Sequence, residues 1–144
     1  MGNLRFNGIF CDDVRHEVGN KFTLVGCYGR ELYVPEFPTT IRRICVHFNV
    51  LILDSSPPEY IKVELLKDDI VSSAVELDIE HSSNEIAHRS MLNGGFELLD
   101  LEVEDECELE LVATIGGARY HGAYLSIKQL PAENSSENPA IVSN

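Results

Sequence analysis

Apolar and polar residues alternate along this chain in repeated short runs, a pattern typical of β-strands. The clearest run spans 41–53, where two sets of residues alternate at period two: Ile44, Val46, Phe48, Val50 and Ile52 on one face, and Cys45, His47, Asn49, Leu51 and Leu53 on the other. Similar runs occupy 60–67, 70–80, 106–115 and 121–130. Because no run shows a convincing helical period, the chain is predicted to be all-β: an antiparallel β-sandwich of about eight strands, loosely immunoglobulin-like, with a flexible C-terminal tail.

Turn-forming residues separate these runs. Gly19-Asn20 predicts a first hairpin, in which the polar stretch 14–20 connects a strand ending near Asp13 to a returning strand over 21–29. Asp68-Asp69 and Gly116-Gly117 predict two further turns, the second closing a hairpin.

Three segments have a less regular pattern. The segment 81–95 is compatible with a strand, a loop or one helical turn, and its glycines Gly94 and Gly95 are predicted to end it. The next run, 96–103, has a phase break between Leu98 and Leu99 that indicates a bulge or bend. The prolines in 31–40 restrict that stretch to a crossing segment or a short edge strand.

Strand 21–29 is apolar on both faces, which predicts a central position or cover on both sides. The chain length suits one domain, predicted over 1–130, and the polar, proline-bearing residues 131–144 are predicted to form the tail.

The 144 residues include 11 Lys plus Arg and 24 Asp plus Glu, a formal charge of −13. This balance argues against nucleic acid, which needs clustered cations, and against anionic membranes; the one basic pair, Arg42-Arg43, is interpreted as a solvated strand end. The chain shows neither a signal peptide nor an apolar run long enough to span a membrane. We therefore expect a cytoplasmic protein. We also expect no cofactor, because the short glycine pairs precede no helix and so cannot form a phosphate-binding loop.

The four cysteines are Cys11, Cys27, Cys45 and Cys107. In a cytoplasmic protein they are expected to be reduced, and because none forms a CxxC pair, a zinc knuckle is disfavoured. All four are predicted to be small buried hydrophobes.

Asp12, Asp13 and His16 are the candidate metal ligands, because carboxylate oxygens and imidazole suit divalent ions. Turn chemistry is nevertheless the favoured interpretation, since adjacent strand residues point to opposite faces and Asp is common where strands turn. His47, within the clearest strand, is predicted to be a hydrogen-bonded core or edge residue rather than a ligand. His81 and His88 match no helical metal motif.

Nucleophilic catalysis has no visible signature, since no GxSxG elbow occurs. The acidic region 99–112 lacks the offsets of a calcium loop and is interpreted as a solvated loop and outward strand face. The less favoured interpretation of this acidic region is an electrostatic contact with a basic partner. A partner surface is therefore predicted from two sets of charged residues: Arg15, Glu17 and Lys21 in the first hairpin, and Glu104, Asp105 and Glu106 in the acidic region.

Most of the chain resembles a family of small bacterial and phage-encoded domains of unknown function, with specific motifs over the first fifty residues. The resemblance rests on a cysteine-aspartate pair, a "TLVG" strand and a later "FP", with these matching positions: Cys11, Asp12, Arg15, Glu17, Lys21, Thr23, Leu24, Gly26, Tyr28, Phe37 and Pro38. It implies a β-sandwich without assigned activity and no catalytic residues. An extra residue at Gly19-Asn20-Lys21 departs from the family's usual Gly-Lys.

Together these features predict a non-enzymatic protein-interaction module of bacterial or phage origin. Its partner is expected to be a protein bound through sheet edges or acidic loops, with homo-oligomers through the same edges as a further option. The alternative hypothesis is a small metal-dependent or hydrolytic enzyme with a site near the first hairpin.

Overall fold

A computed structural model describes residues 4–53, 59–78 and 90–131. These residues form nine β-strands: β1 Leu4–Glu17, β2 Lys21–Cys27, β3 Glu31–Val34, β4 Thr39–Ile52, β5 Tyr60–Lys67, β6 Ile70–Asp78, β7 Ser90–Val103, β8 Cys107–Ile115 and β9 Ala118–Gln129. The prediction of an all-β chain is confirmed. No helix able to cross a membrane occurs in the described ranges.

The strands form two sheets that pack face to face as a sandwich. The first sheet has the order β2-β1-β4-β7 and the second has the order β3-β9-β8-β5-β6. Neighbouring strands are antiparallel except for β3, which runs parallel to β9. The predicted sandwich is therefore confirmed, with one parallel pair at an edge. β3 has four residues, and Pro35 directly follows it, as expected of a short edge strand.

The core lies between the sheets and is built by the alternation seen in the sequence. The even-numbered residues 44–52 of β4 are buried and meet the buried side chains of β5, β8 and β9. Phe48 is fully buried at its centre, with ring centroids 5.9 Å from Phe6 and 6.1 Å from Phe96. One face of each sheet is therefore committed to the core, and the opposite face of each is its outer face.

Tight turns close the predicted hairpins. Asp68 and Asp69 have φ of 49° and 66°, and Gly116 and Gly117 have φ of 58° and 85°, so each pair adopts the left-handed conformations that short hairpins require. In the first hairpin, β1 extends to Glu17, which lies opposite Lys21. The predicted polar connection over 14–20 was therefore too long, because most of it pairs with β2 as strand.

The prediction that Gly94 and Gly95 end a segment was wrong, because both lie inside the 14-residue strand β7. They are required there by close neighbours: a Cβ on Gly94 would lie 2.6 Å from Phe48 Cζ, and one on Gly95 would lie 2.6 Å from the carbonyl oxygen of Val46. The predicted phase break falls near Asp100, which has φ of 52°, rather than between Leu98 and Leu99.

Two predicted features lie outside the described residues. These are His81 and His88 of the weakly patterned segment, and the tail after Pro131.

Candidate functional site

The first hairpin bends over the outer face of the first sheet. Its β2 strand is an edge strand, so of the two predicted alternatives, a central position or cover on both sides, the central position is contradicted. The apolar residues of β2 instead find cover against the sheet itself: the Phe22 ring lies 4.1 Å from the His47 ring of β4, centroid to centroid. This contact buries outer-face residues that a flat sheet would expose to water.

A groove of about 430 Å³ runs between the hairpin and β7, with β4 as its floor. We call it the hairpin groove, and its defining residues are His16 and Phe22 of the hairpin, Arg43 and His47 of β4, and Gly95 and Glu97 of β7. Its volume lies within the range of small-ligand and side-chain pockets. The groove is open to solvent and borders the edge strand β7.

His47 is the unusual residue of the groove. Its side chain is buried, with 8% of the residue exposed, and its Nε2 atom has no hydrogen-bond partner among the described residues. The prediction of a hydrogen-bonded histidine was therefore wrong for this nitrogen. Burial lowers the pKa of His47, and repulsion from His16 lowers it further, so the imidazole is neutral at pH 7.

Arg43 at one end of the groove has its charge compensated on both sides. Its Nη1 lies 3.0 Å from Asp13 Oδ1, and its Nε donates to Glu97 Oε2 at 2.6 Å. Arg15 adds a second cation, with its Nε 3.4 Å from Asp13 Oδ2. The groove therefore contains an ion-pair network but no uncompensated arginine charge.

The three candidate metal ligands do not converge. Asp12 accepts a hydrogen bond from the Tyr28 hydroxyl at 2.6 Å, Asp13 pairs with arginines, and His16 lines the groove. Burial raises the pKa of Tyr28, and its hydrogen bond to Asp12 raises it further. Within the described ranges, no group of three or more His, Cys, Asp or Glu side chains is arranged to hold a metal ion.

Three of the four cysteines are buried as predicted. Cys11 and Cys45 are opposite each other in the β1–β4 ladder, on the outer face that the hairpin covers. Burial, followed by proximity to Cys45, raises the pKa of Cys11 to about 11, so its thiol stays protonated. Cys27 is exposed at the end of edge strand β2, and the prediction of burial was wrong there.

The predicted partner residues occupy two separate elements. Arg15, Glu17 and Lys21 are exposed on the hairpin, where Glu17 accepts a hydrogen bond from Thr23 at 2.7 Å. The acidic set, Glu104 to Glu106, is the exposed turn between β7 and β8, stabilised by a 2.8 Å bond from the Glu106 amide to Asp105. The interpretation of this region as a solvated loop and outward strand face is confirmed.

Sequence reasoning missed the hairpin groove. The alternation in β4 does place His47 on the second face, and the ladder pairs His47 with Gly95. No local signal shows that β2 covers that face, because the covering contact joins residues 25 positions apart in different strands.

A scan against protein-family models finds no match for this chain, and a search of curated proteins finds no significant match. The resemblance to small bacterial and phage domains stays a prediction.

Proposed function

We propose that this chain is a non-enzymatic interaction module that binds an extended segment of a partner protein as an added strand beside β7. The observation that carries the proposal is the form of β7: a 14-residue edge strand that pairs with β4 at 13 positions and with no other described strand. An edge of this kind offers a row of backbone donors and acceptors to another chain.

The composition of β7 supports the same use. Natural edge strands are commonly protected by charges, prolines or short length. Residues 91–96 of β7, with the sequence MLNGGF, contain none of these protections, and Met91 is 56% exposed. Charged side chains begin at Glu97, so they protect the other half of the strand.

The hairpin groove gives such an edge a means of selection. Strand addition takes affinity from main-chain hydrogen bonds and specificity from pockets that receive alternate side chains. The groove borders β7 over 93–97, within reach of side chains that an added strand would place on the outer face. The bacterial or phage origin expected from the sequence resemblance belongs to this proposal and rests on that resemblance alone.

The experiment is selection of binders from a displayed library of random twelve-residue peptides, followed by hydrogen exchange of the complex. We expect protection of the amides of 91–97. N-methylation of a selected peptide should weaken binding at every second residue, because alternate amides of a strand face its neighbour.

The matched control compares two edges. Met91→Lys on β7 should weaken peptide binding at least fivefold, whereas Val71→Lys on edge strand β6, where Val71 is 50% exposed, should leave it unchanged. Protection elsewhere than β7, or equal effects of the two substitutions, would refute strand addition at β7.

The enzyme hypothesis receives less support. Asp12, Asp13 and His16 each have a separate contact, as described above, and no described feature brings a nucleophile, a base and an orienting group together.

A further inference from the structure

We propose that the hairpin groove is a pocket for a tyrosine side chain of the partner strand, with its phenol hydroxyl bonded to His47 Nε2. This inference rests on the proposed strand addition and names the side chain that it would place in the groove. Four observations carry it: an unpartnered nitrogen, a gap in one row of side chains, a compensated charge and the distance from the edge.

The unpartnered nitrogen is the first observation. Nε2 of His47 is the one buried side-chain nitrogen or oxygen in the described chain without a hydrogen-bond partner. Leaving such a group unpaired lowers the stability of the fold, a cost that a well-packed apolar residue would avoid. A polar group kept at that cost is typical of a site where function, rather than stability, decides the residue.

A gap in the outer face leads from the β7 edge to His47. The ladders align Ile9, His47 and Gly95 in one row across β1, β4 and β7. Because Gly95 has no side chain, nothing in that row stands between the edge of β7 and the imidazole. The Phe22 ring covers the imidazole from above and, lying near the hairpin tip, must shift aside for the hydroxyl to reach Nε2.

The charges of the groove favour a neutral occupant. Arg43 is paired with Asp13 and Glu97, so a carboxylate or phosphate would meet two acidic groups rather than a free cation. His16 lines the groove from β1, and Glu97 lies beside the Cys45–Cys11 pair. Phe22 supplies apolar wall from the hairpin, which suits an aromatic ring.

Length and hydrogen-bonding capacity select tyrosine among neutral residues. An added strand would lie two strand spacings from β4, about 9.6 Å, which excludes the short hydroxyls of serine and threonine. A phenol hydroxyl both donates and accepts, so it pairs with Nε2 in either tautomer of the neutral imidazole, whereas an indole N–H only donates.

The test measures binding of small probes to the intact chain by NMR, with p-cresol as the tyrosine mimic. We expect p-cresol to shift the His47 and Phe22 ring resonances saturably, with three- to tenfold tighter binding than toluene, the fold-change expected for one net hydrogen bond. 3-Methylindole should bind more weakly than p-cresol, and p-toluate, an anion, more weakly still.

His47→Phe is the matched variant, because it keeps an aromatic ring and removes the nitrogen. In this variant p-cresol and toluene should bind equally. Equal binding of the two probes to the unmodified chain, tighter binding of p-toluate than of p-cresol, shifts confined to other surfaces, or no binding would overturn the inference.

Failure here is separable from failure of the proposed function. Selected peptides that protect β7 but carry no enriched tyrosine, together with a groove that ignores p-cresol, would refute the tyrosine pocket and leave strand addition standing. Saturable p-cresol binding in the groove without any peptide that protects β7 would refute strand addition, and with it the partner strand as the source of the tyrosine, and would leave only a phenol-binding groove.

Discussion

The outer faces of the two sheets differ in how they treat polar groups. The second sheet keeps most of its polar side chains exposed or half-buried, with Ser126 as a buried exception. Acidic residues predominate there: Glu31, Glu64, Glu76, Glu108 and Glu110, with Lys62 and Lys128 among them. Their contacts lie at the surface, as in the 2.9 Å bond from Lys128 to Glu31 and the contact of His121 with Glu110. The first sheet instead folds its own hairpin over part of its outer face and buries Cys11, Cys45 and His47 there.

The difference shows how one alternating pattern has two physical outcomes. On the solvated face, polar side chains form hydrogen bonds with water, and individual substitutions there change the stability of the fold little. On the covered face, polar residues lose water, so each must find a partner or remain unsatisfied at a cost. The unpaired Nε2 of His47 is the result, and the covered face is therefore where we expect both function and sensitivity to mutation.

The largest contrast is expected from a small-to-large substitution made on each outer face. Gly95→Val should lower the free energy of unfolding by about 1–3 kcal/mol, because its Cβ would lie 2.6 Å from the Val46 carbonyl oxygen. Ala74→Val on exposed β6 is the control and should change it by less than about 0.5 kcal/mol. Urea titration measures both. Similar losses for the two variants would remove the contrast.

Replacing the unsatisfied histidine should act in the opposite direction. His47→Phe should raise the free energy of unfolding at pH 7 by up to about 1–3 kcal/mol, because it removes an unpaired buried nitrogen and keeps the ring beside Phe22. Thermal and urea melts measure the gain. A loss of stability would mean that Nε2 has a partner, such as an ordered water.

The same histidine makes stability depend on pH. The pKa of His47 is lowered in the folded chain, so between that value and the ordinary value near 6.5 the unfolded chain binds more protons. Stability should therefore fall as the pH drops from about 7 to 5. In His47→Phe this fall in stability should be shallower, because the titration of His47 is lost. Some fall should remain, because the other titrating groups are retained. Parallel slopes for the two proteins would show that His47 does not contribute.

The smallest effect is expected on the solvated face. Glu31 pairs with Lys128 and Tyr33, and these hydrogen bonds lower the pKa of its carboxyl. Because the group is exposed, Glu31→Gln should leave the urea midpoint unchanged within error at physiological salt. A clear loss of stability would show that this face depends on its ion pairs, and the comparison of the two faces would need revision.

Much of the fold was predictable from local pattern. The alternation 44–52 specified which face of β4 enters the core, and Asp68-Asp69 and Gly116-Gly117 specified two turns, because both signals act over a few residues. Errors arose where a distant neighbour decided the outcome. Gly94 looks like a turn residue, yet it lies inside β7, opposite Phe48 of β4, and the Phe48 ring leaves no room there for a side chain.

The candidate site was predictable only in part. Sequence reasoning identified the first hairpin as a hairpin, placed His47 on the second face of β4, and assigned Asp12, Asp13 and His16 to one candidate cluster. In the fold these three have separate contacts, because successive strand residues point to opposite faces and β1 leaves its ladder with β4 after Cys11.

The sequence by itself determined that this protein is a β-sandwich, since period-two alternation and turn residues depend on each residue and its near neighbours. The tertiary structure decided where β2 lies, which outer face is covered, and which histidine loses its hydrogen-bond partner. Those outcomes depend on contacts between residues far apart in the chain, such as Phe22 with His47 and Gly95 beside His47. A groove made by such contacts exists only once the strands have paired.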